Sequence, residues 1–300
     1  MDNRTYFVPT DADGGQHVGD DVTSWPLPSV ADDGRVIPGE EIEPEMGAPL
    51  VLRDLDGLLE DLGERIFLAE IVGEGAGERA RLREETAWSL HAAARFALDC
   101  AEHALVGADD LGLPSGTSLK EVVGSARSFL DEDEKTKDGL LQKMSRLALA
   151  RRLRRLGSEV ADVALVLTAE DERADLDAID DPRWSTVAAI REAVLSAVEA
   201  IRHDAFPRLL EGENRRYEAD ALAVDEPPDV ISTPWGEFTL GNRAGVVPAW
   251  VAARDAAARA REATADSKGA EAGEAERRWQ RDRLAAALGI GPSEDGAAAR

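Results

Sequence analysis

One cysteine in 300 residues, Cys100, excludes a disulfide framework and an all-cysteine zinc site within the chain. Aromatic residues make up only 5%, and alanine supplies much of the 43% hydrophobic content. That balance suits closely packed helices better than a β-sandwich. Lysine is scarce (Lys120, Lys135, Lys137, Lys143 and Lys268), and 60 acidic against 35 basic residues leave a formal net charge of −25. So acidic a chain repels nucleic acid overall, attracts cationic partners and stays soluble. No run approaches the ~18 consecutive apolar residues of a membrane span. The opening M-D-N-R-T-Y-F-V-P-T-D has neither the basic region nor the apolar run of a signal peptide. The expectation is a cytoplasmic protein with no membrane partner. G-x-S-x-G, P-loop and H-E-x-x-H motifs are also missing.

What is present divides the chain by texture. Residues 1–48 carry Pro9, Pro26, Pro28, Pro38 and Pro44 among many Asp residues, which forbids a long helix. Apolar islands at Tyr6-Phe7-Val8, Trp25-Pro26-Leu27 and Arg35-Val36-Ile37 predict an extended acidic arm pinned by anchors. From residue 50 the period becomes helical. Leu52, Leu55, Leu59, Leu62, Ile66 and Ala69 step by threes and fours, and a second helix is predicted over 78–107. A third, over 117–131, begins with a capping-box pattern at Ser118 and Glu121. Leu149, Leu153, Leu156, Val160, Val163 and Leu167 mark a fourth helix. Val187, Ile190, Val194, Ala197 and Ile201 mark a fifth, entered at Pro182.

The core is therefore predicted over 50–223 as an all-α, up-and-down antiparallel helix bundle. A small hairpin and a helix follow over 224–265, then a linker over 266–273 and a terminal helix and tail over 274–300. The hairpin residues D-V-I-S-T-P-W-G-E-F-T-L resemble a strand pair, with the arm's G-R-V-I-P as a possible further partner.

Candidate chemistry is sparse. His91, Arg95, Asp99 and His103 lie four apart and form one polar stripe on the second helix; Glu199 and His203 repeat that spacing on the fifth. Facing each other, Asp99, His103, Glu199 and His203 would make a carboxylate–imidazole metal site. The Glu-x-x-His spacing of di-iron bundles is absent, however, and i, i+4 pairs are common on helix surfaces. The expectation is that Asp99 and His103 face water and that no cofactor is needed. Cys100 reads as a packing residue.

Between Gly139 and Ser158 there is no acidic residue, and Arg151, Arg152, Arg154 and Arg155 form a basic patch. The acidic run 170–181 and the acidic arm are its natural internal partners. Tyr6, Phe7 and Trp25 in the arm, with Trp279, Leu284 and Leu288 in the terminal helix, are the candidate contact anchors. The function these features favour is a non-enzymatic interaction or assembly protein, of subunit, adaptor or inhibitor/immunity type, bound to a protein partner or to itself. A helical metal-binding protein or metalloenzyme, and a regulator touching nucleic acid through the arginine helix, are the alternatives.

Overall fold

Helix and sheet divide the chain near Trp88. The computed structural model describes residues 5–18, 21–43, 50–72, 79–105, 113, 115–134, 140–169, 182–205, 230–233, 236–239 and 247–290. Before Trp88 these are extended apart from one helical turn; after it they are helical apart from connections and one hairpin. The strands of the first part are β1 Tyr6–Thr10, β2 Gly15–Val18, β3 Asp21–Ser24, β4 Ser29–Val30, β5 Val36–Ile37, β6 Arg65–Val72 and β7 Arg79–Glu85, with α1 at Leu55–Leu58. The second part holds α2 Leu90–Ala104, α3 Leu119–Glu134, α4 Leu140–Ala169 and α5 Pro182–Ala205. After these come β8 Val230–Thr233, β9 Gly236–Thr239, α6 Ala249–Lys268 and α7 Ala270–Ala287.

The first part is built on an antiparallel sheet of order β1-β6-β7, with Phe7 opposite Leu68 and Val8 opposite Phe67. Alternation sends Phe7, Ile66 and Leu68 towards the helices, while Val8, Phe67, Ala69, Ala80 and Leu82 enclose Trp25 in a second core. The Trp25 indole donates to Gln16 at 3.1 Å, and Gln16 donates to the Val51 carbonyl at 2.8 Å. Two small hairpins, β2–β3 and β4–β5, flank Trp25 in the sequence, the first in contact with β1 and the second with β7. At Gly39 a Cβ would come within 2.0 Å of the Pro26 carbonyl oxygen, so only glycine lets the two segments meet.

In the helical part α5 is central, packed on α2, α3, α4 and α6. Gly157 lets α4 approach Val194 of α5 closely. On α6 the buried residues Ala249, Ala252, Ala253, Ala256, Ala257, Ala260 and Ala263 form a small-residue stripe against its neighbours. Gly269, at φ +92 and ψ 165, turns α6 into α7 through backbone that other residues strongly avoid.

The prediction of an all-α up-and-down bundle is thus corrected: an antiparallel sheet precedes and packs against the helices. The apolar series Leu55 to Ala69 is not one helix. Leu55, Leu59, Leu62 and Ile66 all reach the helical core, but the chain changes from a helical turn to a strand between them. Because β6 is buried on both faces, its apolar residues run together and hide the period of two. The predicted second helix begins late, since residues 79–85 form β7. There Ala80 and Leu82 point inward, with Arg79, Arg81 and Arg83 between them.

Residues 1–48, predicted as an extended arm pinned by anchors, contribute β1 to the sheet, and 266–273 are helical on both sides of Gly269. Helices α3, α4 and α5 lie close to their predicted spans. The 224–265 region contains the hairpin β8–β9, whose strands pair with each other; β5 of the G-R-V-I-P segment pairs with β4.

Candidate functional site

The polar stripe of α2 is divided: the Asp99 side chain is largely covered, at 14% exposure, the His103 side chain is exposed, at 47%, and both are paired. The Asp99 carboxylate accepts from Arg127 of α3 at 2.8 Å and is also paired with Arg283 of α7. Arg127 donates in addition to Glu102 at 2.8 Å, and Arg95 to Asp131 at 2.9 Å. His103 donates from Nδ1 to Glu276, a carboxylate whose side chain is only 1% exposed, and its ring stacks on Trp279 at 4.2 Å. Charge-assisted bonds to a buried carboxylate are among the stronger hydrogen bonds, because little water competes for them.

Glu276 is satisfied on its other oxygen by Gln280 Nε2 at 3.0 Å. That same amide nitrogen donates to the Ala257 carbonyl at 3.0 Å, and Gln280 Oε1 accepts from Arg261 at 3.0 Å. Arg261 and Arg277 both donate to Glu60, at 2.9 and 3.1 Å, and Arg277 to Asp56 at 3.3 Å. The network therefore runs from α2 and α3 through α7 to α6 and the end of α1. Cys100 lies inside it. Burial, and then the negative charges of Glu276 and Asp99, push its thiol well above the ordinary range. A thiol so placed stays protonated and is a poor nucleophile.

The four possible metal ligands are not brought together. The Thr186 hydroxyl near the start of α5 donates to the Ala104 carbonyl at the end of α2, so the two helices run antiparallel. Glu199, thirteen residues on, is therefore displaced by about 20 Å along the axis. Its carboxylate accepts two bonds from Arg202, at 2.7 and 2.9 Å. His203 sits one turn further. Among the described residues no group of three or more His, Cys, Asp or Glu side chains is arranged to hold a metal. What the α2–α7 network can do is hold the terminal helix in place: both Glu276 oxygens are engaged, and Trp279 covers one face of the imidazole.

The contact anchors are covered by the chain itself. Phe7 and Trp25 are buried, and Tyr6 packs beside Trp25. Leu284 and Leu288 lie in the helical core, with Trp279 against it. The Ala87 amide donates to the Leu288 carbonyl at 3.0 Å, tying the end of α7 to the turn before α2. The basic patch lies on an outer face: Arg151, Arg152, Arg154 and Arg155 are exposed, while Leu153 is buried. Arg152 lies over the Phe129 ring at 4.8 Å, and Arg155 is 3.7 Å from Glu159. The acidic run 170–181 lies outside the described residues.

Two features escaped sequence reading. The network partners of α7 pair with residues more than a hundred positions away, beyond any spacing rule. The large exposed aliphatics are the other: Val18, Val22, Val30, Val36 and Ile37 on β2–β5, with Ile71 on β6. Val36 and Ile37 belong to one of the apolar islands of the sequence, and nothing local distinguishes them from Tyr6-Phe7-Val8. No family model matches the chain, and neither does any curated protein or solved structure. No helix among the described residues is long and apolar enough to cross a membrane.

Proposed function

We propose that the chain is a non-enzymatic interaction or assembly protein whose contact surface is the pair of N-terminal hairpins, β2–β3 and β4–β5. One observation carries this reading. Five of the six large exposed aliphatics among the described residues lie on these hairpins, with Val30 at 71% and Val22 at 56% exposure, and none lies on a helix. Val30 and Val36 are cross-strand partners on one face of β4–β5, and exposed aliphatics grouped in this way mark contact sites. Around them Asp13, Asp21, Asp32, Asp33, Glu40, Glu41 and Glu43 are exposed, with Arg35 the one exposed arginine of the hairpin segments 11–18 and 21–43. The surface therefore suits a partner that is both apolar and cationic.

Truncation is a poor test, because removing residues 1–48 takes β1 from the sheet and removing 270–300 takes Leu284 and Leu288 from the core. Val30→Asp with Val36→Asp leaves both cores intact. Proteins captured from the native source by the wild type are expected to be lost with this variant at an unchanged melting temperature. Capture of the same set by both would overturn the reading.

A further inference from the structure

Helices α6 and α7 are joined by Gly269 alone, and that residue stands in backbone open only to glycine, at φ +92 and ψ 165. We infer that the α6–α7 pair opens there into one continuous helix, and that the released α7 docks on the body of a second copy of this chain while that copy's α7 docks on the first. The inference does not rest on the interaction reading above, which concerns the N-terminal hairpins.

The connection is built for either state. A Cβ at Gly269 would meet no described atom within 4 Å, and residues 266–271 are exposed, so packing does not hold the turn. The start of α7 has no side-chain cap, and the amides of Ala270 and Glu271 have no acceptor within α7. In one continuous helix they would donate to the carbonyls of Asp266 and Ser267, four residues back. The sequence through the break, T-A-D-S-K-G-A-E-A-G-E-A-E (264–276), is rich in alanine and glutamate and holds no proline, so it suits a helix throughout. Gly269 tips the balance towards the turn: it accepts the backbone the turn needs, and it weakens the straight helix.

The seat of α7 does not depend on which chain supplies the helix. Glu276 accepts from His103 of α2, Trp279 stacks on the same imidazole, Arg277 donates to Asp56 of α1, and Gln280 donates to the Ala257 carbonyl of α6. Leu284 and Leu288 complete the seat in the helical core. An identical α7 arriving from a second copy reproduces every one of these contacts. The exchange is reciprocal, so it closes at two copies, each seat being completed by the other chain. Opening trades an intramolecular docking for an intermolecular one and adds the helical bonds at the break. Protein concentration therefore sets the balance.

The test is light-scattering mass at about 0.15 M salt, where repulsion between two chains of net charge −25 is screened beyond ~8 Å. Wild type refolded from urea at hundreds of micromolar is expected to yield a minority of dimer. Gly269→Ala is expected to raise the association constant by on the order of a thousandfold, because in both copies it strains the turn and strengthens the straight helix. Insertion of Gly-Gly-Ser-Gly after Gly269 relaxes the turn and interrupts the helix, and that variant is expected to stay monomeric. In the dimer the amides of Ala270 and Glu271 are expected to exchange with deuterium roughly tenfold or more slowly than in the monomer, which a side-by-side dimer would not produce. Circular dichroism melts establish that each variant folds; should Gly269→Ala melt early, the wild-type dimer carries the same exchange measurement. Val30→Asp with Val36→Asp is expected to dimerise as the wild type does. A wild type with no dimer, a folded Gly269→Ala that dimerises no more than the wild type, a dimer whose amides at 270 and 271 stay unprotected, an insertion variant that dimerises like the wild type, or loss of the dimer on the two valine substitutions would each overturn the inference.

Discussion

The two ends of the chain carry similar apolar material and dispose of it differently. The C-terminal helix α7 seats Leu284 and Leu288 in the helical core and fastens the remainder through His103, Glu276 and Gln280. The N-terminal segment buries Phe7, Val8 and Trp25 but leaves Val22, Val30, Val36 and Ile37 in solvent. The reason is geometric. A helix with one apolar stripe has one face to cover, and the body supplies the matching groove. Hairpins of two to four residues per strand are too small to build a core of their own, so aliphatics on both of their faces stay in solvent, Val30 and Val36 on one face of β4–β5 and Ile37 on the other. Burial at one end stabilises the fold; exposure at the other is available for contact.

The largest expected effect tests whether the N-terminal segment belongs to the fold at all. Phe67 is 1% exposed on the outer face of β6, packed around Trp25 and Leu82. Phe67→Ala is expected to cost about 3–5 kcal/mol, read as a lower midpoint in urea unfolding. A single cooperative transition would mean that sheet and helices unfold together. A separate early transition confined to β-sheet signal would split the two regions into independent units and break the comparison.

The next effect concerns the seated end. Gln280 is fully buried and joins Glu276, Ala257 and Arg261. Gln280→Leu keeps the volume but strands three polar partners, at an expected cost of about 1–3 kcal/mol. Amide exchange should rise first along α7. Uniform exchange across the molecule would mean that the network is no more important to this helix than to the rest.

What was legible in the sequence follows the same division. Helices α3 and α4 have one buried face each, so their spacing is readable, and at α3 the cap could be named; the central α5 is buried nearly all round, yet its large aliphatics still step by threes and fours. Ser118 N–H donates to Glu121 at 2.8 Å, and the Glu121 amide donates back to Ser118 Oγ at 3.2 Å. Strand β6 was illegible because both its faces are covered. Strand β7 was legible in principle, since R-A-R-L-R alternates, but the adjoining alanine-rich helix absorbed it. The metal constellation failed on a different ground. Spacing within each helix was read correctly, but their antiparallel packing, which separates the two pairs, is a tertiary fact. The exposed hairpin aliphatics were hidden because exposure depends on what lies opposite: Trp25 meets Gln16 and the sheet, while Val36 is paired with Val30, itself exposed.

A smaller effect is expected at the bare end. Val30→Asp places a charge where the side chain is already 71% exposed, so its stability is expected to move by no more than about 0.5 kcal/mol. A large loss in the thermal melt would show that the hairpins are seated after all and would remove the basis of the comparison.

The smallest effect repeats the contrast between seated and bare at single carboxylates. Glu121 is bare: hydrogen bonds from the backbone and side chain of Ser118 hold its pKa below the ordinary value. Its ionised form is favoured by folding, so its contribution is present above the usual carboxylate range and fades as pH falls through the lowered folded value. Glu192 is seated. Burial raises its pKa and Asp255 adds to the rise, against the pull of Arg191 at 2.5 Å and of Arg259. Here folding favours the protonated form, so the contribution is present at low pH and is lost as pH rises through the raised folded value. Glu121→Gln is therefore expected to lower Tm at neutral pH and Glu192→Gln to raise it, each by on the order of 1 °C, with both differences closing in acid. Parallel melts at neutral and acidic pH decide the matter. If the two substitutions shift Tm in the same direction at neutral pH, desolvation is not what distinguishes the seated carboxylate from the bare one.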